Sequence, residues 1–467
     1  MGRAMTAPNG LTGRLDALFG LTSRGTNVRT EVVAGATTFM TMAYIVFVNP
    51  AILGKVADVA GTQLAFPALL TSTALVAAVM TLAMGIFANL PLALAAGMGL
   101  NSVVAFQLVA TMKLTWAQAM GVIVAEGLAI TVLVASGLRQ AVVRAVPTAM
   151  KKAIGIGIGL FLAIIGFVDA GFVSRNAADP VPVALGTGGH LKGFPIVLFV
   201  LTLLFTGWLV ARNVKGALLV GILSTTVVAV LAKALFGDAA GFKPWEVVLP
   251  ASPFARPDFS QLGAFSFGFV GVLGTAAAAL TVFSLMLSDF FDTVGTVVAV
   301  GQEAKYVDEQ GNFPRPGTVL MIDSLAAVAG GAAGASSATT YIESAAGAAA
   351  GARTGLASIV TGLLFAACLF ISPLAGVVPP QATGAVLVLV GFFMMRDVGS
   401  LPWGDVTEAV PAFLTLTLMP FTYSITNGIG AGFISYAVLK TLGGRAREVH
   451  PLMYGAAAAF LVYFVLA

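Results

Sequence analysis

The chain has 467 residues, 58% of them hydrophobic and 9% charged, with a mean hydropathy of +0.98. Soluble domains carry about 25% charged residues, so this composition excludes a soluble globular protein and specifies an all-α polytopic membrane protein. The formal net charge of +4 is read as basic residues gathered in cytoplasmic loops, with no nucleic-acid partner.

The N-terminus, Met1–Arg29, is polar and basic. It lacks the apolar core of a cleaved leader and is expected to stay in the cytoplasm. The first span, Val32–Val48, ends at Asn49-Pro50, and the second is Ala68–Phe87. The third segment, Leu92–Val109, is interrupted by Gly97-Met98-Gly99-Leu100-Asn101. Ala117–Leu138 contains Glu126, and Ala149–Val168, Pro195–Val210 and Ala217–Leu235 follow. The long eighth span, from about Phe267 to Gly301, carries Asp289 and Asp292. Thr318–Ala333 has Asp323 near its start, where it reads as interfacial and structural. The short tenth segment, Ala338–Ala352, contains Glu343. Gly355–Ile371, Thr383–Met395, Thr407–Tyr423 and Gly428–Leu442 complete about fourteen elements. Leu452–Leu466 is either a further helix or a segment lying on the bundle.

Basic residues support this count. They precede the first span (Arg3, Arg14, Arg24, Arg29) and follow the fourth (Arg139, Arg144, Lys151, Lys152). They recur after the sixth (Arg212, Lys215), eighth (Lys305, Arg315), tenth (Arg353), twelfth (Arg396) and fourteenth (Lys440, Arg445, Arg447). Every even boundary except the second is basic, as the positive-inside rule requires for a cytoplasmic N-terminus. Val146-Pro147 before the fifth span and Val378-Pro379 before the twelfth suggest a repeat seven elements long. An odd number of spans inverts the second copy in the membrane. The third and tenth segments, both short and interrupted, then correspond.

Asp289 and Asp292 are three residues apart and share a helix face, with Thr293 and Thr296 beside it. A carboxylate at membrane depth is costly unless it meets water, a partner or a ligand, so this face is expected to line a polar cavity. Leu92–Ala96 and Ala335–Thr339 are expected to run extended, each before a half-helix, near Asn101 and near Thr340–Glu343. Irregular backbone at that depth is tolerated only inside protein or along a cavity. Two facing half-helix N-termini would present free N–H groups and partial positive charge.

Asn101 offers a donor and an acceptor, and Glu343 accepts hydrogen bonds. Tyr341 and Tyr44 add polar tips. Phe283, Phe290 and Phe291 could stack on a ring, although packing is the commoner fate of such residues. With no Lys or Arg in it, this set suits a neutral heterocycle with ring N–H donors and carbonyl acceptors better than an anion. A carboxyl group that gains a proton on one side and loses it on the other would couple transport to protons. Glu343, Asp289, Asp292 and the isolated Glu126 are the candidates. Cys368 is the single cysteine and reads as packing. His190 and His450 fall in expected loops, so neither a metal site nor a cofactor is expected.

Gly35-Ala36-Thr37-Thr38-Phe39-Met40-Thr41-Met42-Ala43-Tyr44 with Asn49-Pro50 resembles the first-helix signature of the azaguanine-like purine permeases, a branch of the nucleobase/ascorbate transporter superfamily. Gly97–Asn101, Asp289-Phe290-Phe291-Asp292-Thr293-Val294-Gly295-Thr296 and Ser337–Gly347 look like that family's third-, eighth- and tenth-helix motifs. The resemblance implies a uracil-permease-like fold of fourteen helices in two inverted repeats of seven. It implies a core domain (31–138 and 262–372, helices 1–4 and 8–11) moving against a gate domain (139–240 and 373–467, helices 5–7 and 12–14), after a cytoplasmic segment, 1–30. It also implies purine–proton symport across the plasma membrane by an elevator-like motion, and a homodimer. The family's binding residues map onto Asn101, Asp289, Asp292 and Glu343, with Thr293, Thr340 and Tyr341 beside them. Ser288 does not decide between adenine and hypoxanthine or guanine; the expectation leans to the latter pair. The alternatives are an anion transporter of the sulfate/bicarbonate type, which carries a basic residue at the tenth-helix site, and a passive nucleobase channel. No nucleophile or phosphate motif points to an enzyme.

Overall fold

The computed structural model describes residues 11–137, 145–174, 183–186, 189–243, 246–304, 306 and 315–466. Arg3, Arg139, Arg144, Lys305 and the side chain of Phe291, all used above, lie outside the described residues. The first half comprises α1 (Leu11–Phe19), α2 (Val28–Met42), α3 (Ile45–Leu53), α4 (Phe66–Ala83), β1 (Leu94–Ala96), α5 (Met98–Ser102), α6 (Trp116–Ala135), α7 (Thr148–Asp169), β2 (Val173–Ser174), β3 (Ala184–Leu185), α8 (Phe194–Ala211) and α9 (Ala217–Phe236). The second half comprises α10 (Phe269–Leu273), α11 (Thr275–Glu303), α12 (Pro316–Ala333), β4 (Ala338–Thr340), α13 (Ser344–Ala349), α14 (Gly355–Ala367), α15 (Ser372–Ala375), α16 (Pro380–Met394), α17 (Val406–Thr422), α18 (Ile425–Leu442) and α19 (Pro451–Leu466). Among the described residues eight helices are long and apolar enough to cross a membrane, and five shorter apolar helices accompany them. Leu452–Leu466 is thus helical, inside α19.

Local chemistry sets many of the ends. Asn27 caps α2 by accepting from the Thr30 N–H, and Thr115 with Gln118 forms a capping box at α6. Proline stands in the first turn of α4, α8 and α16, where its missing N–H costs nothing. The expected eighth span is divided: α10 ends at Gly274, whose φ of 78° suits glycine, and α11 starts afresh.

The helices pack in two groups. α2 and α4 lie on α14, α6 lies on α12, and β1 and β4 are held between α4 and α12. Separately, α7 packs on α16 and α17, α8 on α9 and α16, and α17 on α18. Glycine lets the α7–α16 pair approach closely: a Cβ on Gly159 would stand 2.7 Å from the Gly391 oxygen, and one on Gly166 2.5 Å from the Gly384 oxygen. Within the first group, the buried Glu31 carboxylate of α2 accepts the backbone N–H groups of Arg353 (2.7 Å), Thr354 (3.3 Å) and Ala357 (3.2 Å). It thereby satisfies the orphan donors at the start of α14.

Candidate functional site

The site is built on the two interrupted segments. β1 and β4 pair antiparallel, with Leu94 opposite Thr340, Ala95 opposite Thr339 and Ala96 opposite Ala338. Gly97 N donates to Ser337 O (2.8 Å) and Tyr341 N to Ala93 O (2.9 Å), extending the ladder at both ends. Each strand therefore satisfies backbone groups that would otherwise be orphaned far from water. The half-helices α5 and α13 start just beyond, and α11 runs past both with its acidic face toward them.

An inner cavity of about 90 Å³ lies here, lined among others by Tyr44, Met98, Asp289, Asp292, Tyr341 and Glu343. It adjoins a vestibule of about 970 Å³ that shares Ser288, Asp292, Thr296 and Glu343 with it. Lys151, Lys152, Lys215 and Arg396 also line the vestibule, so it opens toward an end rich in cations. A different groove, of about 820 Å³ between α6, α11 and α19, is lined by apolar side chains and lies away from the acids.

The expected residues fall into three sets. Asp289, Asp292, Glu343, Thr340 and Tyr341 come together around the inner cavity. The Glu343 carboxylate, at the N-cap of α13, accepts a hydrogen bond from the Tyr44 phenol. The Tyr341 phenol donates to Ala96 O, locking the ring against β1. Asp289 accepts from Ser337 Oγ (3.3 Å), and Asp292 is exposed toward the vestibule.

The second set lies behind the cavity wall. Thr293 Oγ1 donates to Asp323 (2.6 Å) and meets Thr339 Oγ1 (2.7 Å). Asp323 also accepts from Thr340 N (2.8 Å) and Thr340 Oγ1 (2.7 Å). It was expected near the membrane surface. Instead it is buried, at the eighth of eighteen positions in α12, and organises β4. Glu126 is fully buried and contacts Asp289 and Ser337 without reaching the cavity.

The third set points elsewhere. Asn101 was expected in the site, but it is fully buried and donates to Asn49 Oδ1 (3.0 Å). Asn49 in turn donates to Thr73 Oγ1 (2.8 Å) and Ala335 O (3.0 Å). The reason is local: α5 begins at Met98, so Asn101 sits inside the helix and turns toward α3, leaving Gly97–Leu100 at the cavity. Phe283 lines the apolar groove, and Phe290 is buried outside the cavity lining.

A profile of the permease family matches residues 29–431. The chain belongs to this family. The adenine permease AdeP of Escherichia coli (strain K12) is 40% identical to it over 456 residues, 97% of this chain and 96% of that protein. The guanine/hypoxanthine permease PbuG of Bacillus subtilis (strain 168) is 36% identical over 445 residues, 94% of this chain and 97% of that one. The transmembrane domain of the cyanobacterial bicarbonate transporter BicA superposes with a TM-score of 0.63 at 15% identity, covering 86% of this chain and 97% of that chain. The permease therefore shares BicA's fold. It is a multi-pass membrane transporter rather than an enzyme.

Proposed function

We propose that this permease imports purine nucleobases by proton symport across the plasma membrane, with its N-terminus in the cytoplasm. The observation that carries the reading is the inner cavity, where Asp289, Asp292 and Glu343 converge with two tyrosines and, among the described residues, no Lys or Arg lines the wall. Carboxylates accept from ring N–H groups, while backbone N–H groups answer ring nitrogens and carbonyls, the phenol protons of Tyr44 and Tyr341 being already given to Glu343 and Ala96 O. A purine base presents both kinds of edge. An inorganic anion would meet three acids and no counter-charge, which weighs against the bicarbonate-type reading; 15% identity to BicA carries the fold alone. The names of AdeP and PbuG support a purine base, and adenine stands beside hypoxanthine and guanine as substrate.

In this reading α2–α6 and α11–α14 form the core that carries the base. α7–α9 and α16–α18 form the gate against which it slides, and the gate supports a homodimer. We read the cation-lined vestibule as the cytoplasmic side, as the positive-inside rule favours, and the conformation as open inward. The test is uptake of labelled adenine and hypoxanthine in cells lacking their own purine permeases, with and without a protonophore. Concentrative uptake that the protonophore abolishes, chased by purines and not by uracil, is the expected result. Absence of uptake for every nucleobase in well-expressed protein overturns the reading.

A further inference from the structure

Glu126 stands in the middle of α6 and is fully buried. Its carboxyl group contacts Asp289 of α11 and Ser337 in the turn before β4. Ser337 Oγ donates to Asp289 Oδ2. Neither Glu126 oxygen, nor Asp289 Oδ1, receives a hydrogen bond from any donor present. No ion pair among the described residues includes either acid. The titratable groups that face the pair are acids too. Asp323 of α12 is already held by Thr293, Thr339 and Thr340, and Asp292 lies one turn along α11.

Two carboxylates are both acceptors and have no bond to offer each other. A carboxyl–carboxylate pair does, through one proton held between them, and such a pair titrates as a unit. The two members differ in access: Asp289 lines the inner cavity, whereas Glu126 does not. A base that donates a ring N–H to Asp289 needs that group as an acceptor. The proton of the pair must then lie on Glu126.

We propose that Glu126 carries the symported proton, shared with Asp289 across the α6–α11 contact. This rests on the symport reading above. The proton enters from the cavity onto Asp289 and passes to Glu126 as the base N–H engages the Asp289 carboxylate. When the base leaves on the other side, Glu126 returns the proton to Asp289, which releases it to the cavity. No other bond forms or breaks. The coupling is electrostatic: a bound base shuts water out of the cavity and is held only while one proton keeps the Glu126–Asp289 pair, with Asp323 behind it, at a single charge, whereas the emptied core returns with Asp289 open to the water of the cavity.

The test uses purified full-length permease in liposomes, with labelled adenine and hypoxanthine as probes. An imposed gradient of about one pH unit supports about tenfold accumulation at one proton per base. Glu126→Gln supplies an amide donor to Asp289 in place of the proton. We expect it to keep binding and base-for-base exchange, with accumulation reduced to about onefold and binding no longer dependent on pH. Tenfold accumulation by Glu126→Gln, with the wild-type pH profile, overturns the assignment and leaves purine transport intact. Wild-type protein that moves base without proton influx removes the symport reading, and the assignment falls with it. Should Glu126→Gln fail to fold, Glu126→Asp serves: the infrared carbonyl band of a protonated carboxyl is expected in wild type and shifted in this variant. An absent or unshifted band also overturns the proposal.

Discussion

The Tyr44 phenol donates a hydrogen bond to the Glu343 carboxylate, tying the break between α2 and α3 to the start of α13. Both residues line the inner cavity. The bond holds the Glu343 carboxylate in one orientation at the cavity wall. Hydrogen bonds to charged groups contribute about 1.5–3 kcal/mol. Tyr44→Phe keeps the ring and removes the donor. Purine affinity is expected to fall by roughly ten- to a hundredfold while the fold is retained. Equilibrium binding of labelled base to purified protein checks this; affinity within a factor of two of wild type would show that Tyr44 does not orient Glu343.

A second prediction concerns Asp323. Its carboxylate gathers Thr293, Thr339 and both donors of Thr340, and so fixes β4 beneath the cavity. Asp323→Asn replaces one acceptor oxygen with a donor facing donors, leaving buried groups unsatisfied at about 1–3 kcal/mol each. Thermal stability in detergent is expected to drop by several degrees and purine binding to be lost. Thr293→Val removes a single donor and should give a small fraction of that loss. Equal melting temperatures for Asp323→Asn and wild type would contradict the role given to this network.

Much of this site was legible in the sequence, because its features interrupt an otherwise apolar pattern. Asp289, Asp292 and Glu343 could not be packing residues at that depth, and the glycines at 97 and 99 broke a helix where a strand and half-helix now stand. What was not legible depends on rotation and depth. Asn101 lies in a five-residue helix, Met98–Ser102, too short for a periodic pattern to tell which way it faced. Asp323 was counted from the wrong starting point, since membrane depth is not written in a helix boundary. Lys440 read as one more cytoplasmic charge. It is fully buried, because acids from two other segments converge on it.

That convergence gives a pH prediction. Lys440 Nζ bonds Glu408 (2.9 Å) and Glu448 (2.8 Å), and Arg445 bonds Glu448 (2.7 Å) and Asp405 (2.5 Å). Hydrogen bonds from Arg445 and Lys440 hold the Glu448 carboxyl down at about 2. Hydrogen bonds from Thr407 and Arg445 hold the Asp405 carboxyl well below the usual carboxylate range. A depressed acid stabilises the folded state fully above its unfolded value, near 4, and loses that contribution as pH falls toward the folded value. Melting temperature should therefore fall between about pH 4 and pH 2, and Glu448→Gln should flatten part of that fall. Parallel curves for the two proteins would count against the cluster's contribution.

The last prediction joins the two helix groups. Lys55, just after α3, pairs with Asp169 at the end of α7 at 2.5 Å. Thr426 of α18 receives Gln107 Nε2 at 2.7 Å and meets Ser284 Oγ of α11 at 2.9 Å. Lys151 and Lys152, at the opposite end of α7 from Asp169, line the vestibule. The Lys55–Asp169 pair and the opening thus lie at opposite ends of the same helix, about 30 Å apart by helix rise, and the Thr426–Ser284 bond joins the groups one turn of α11 before the vestibule-lining Ser288. In the alternating-access reading these links hold the outer side shut while the inner side is open, and an outward-open state must break them. Lys55→Ala with Thr426→Val removes both links. In a Cys368→Ser background, a cysteine introduced by Val390→Cys in the vestibule reports on inward opening through its rate of alkylation. The double variant should slow that alkylation severalfold, because the conformer that buries Val390 gains population. A rate unchanged in well-folded protein would mean that the pairs at Lys55 and Thr426 bear no part of the balance between the two states.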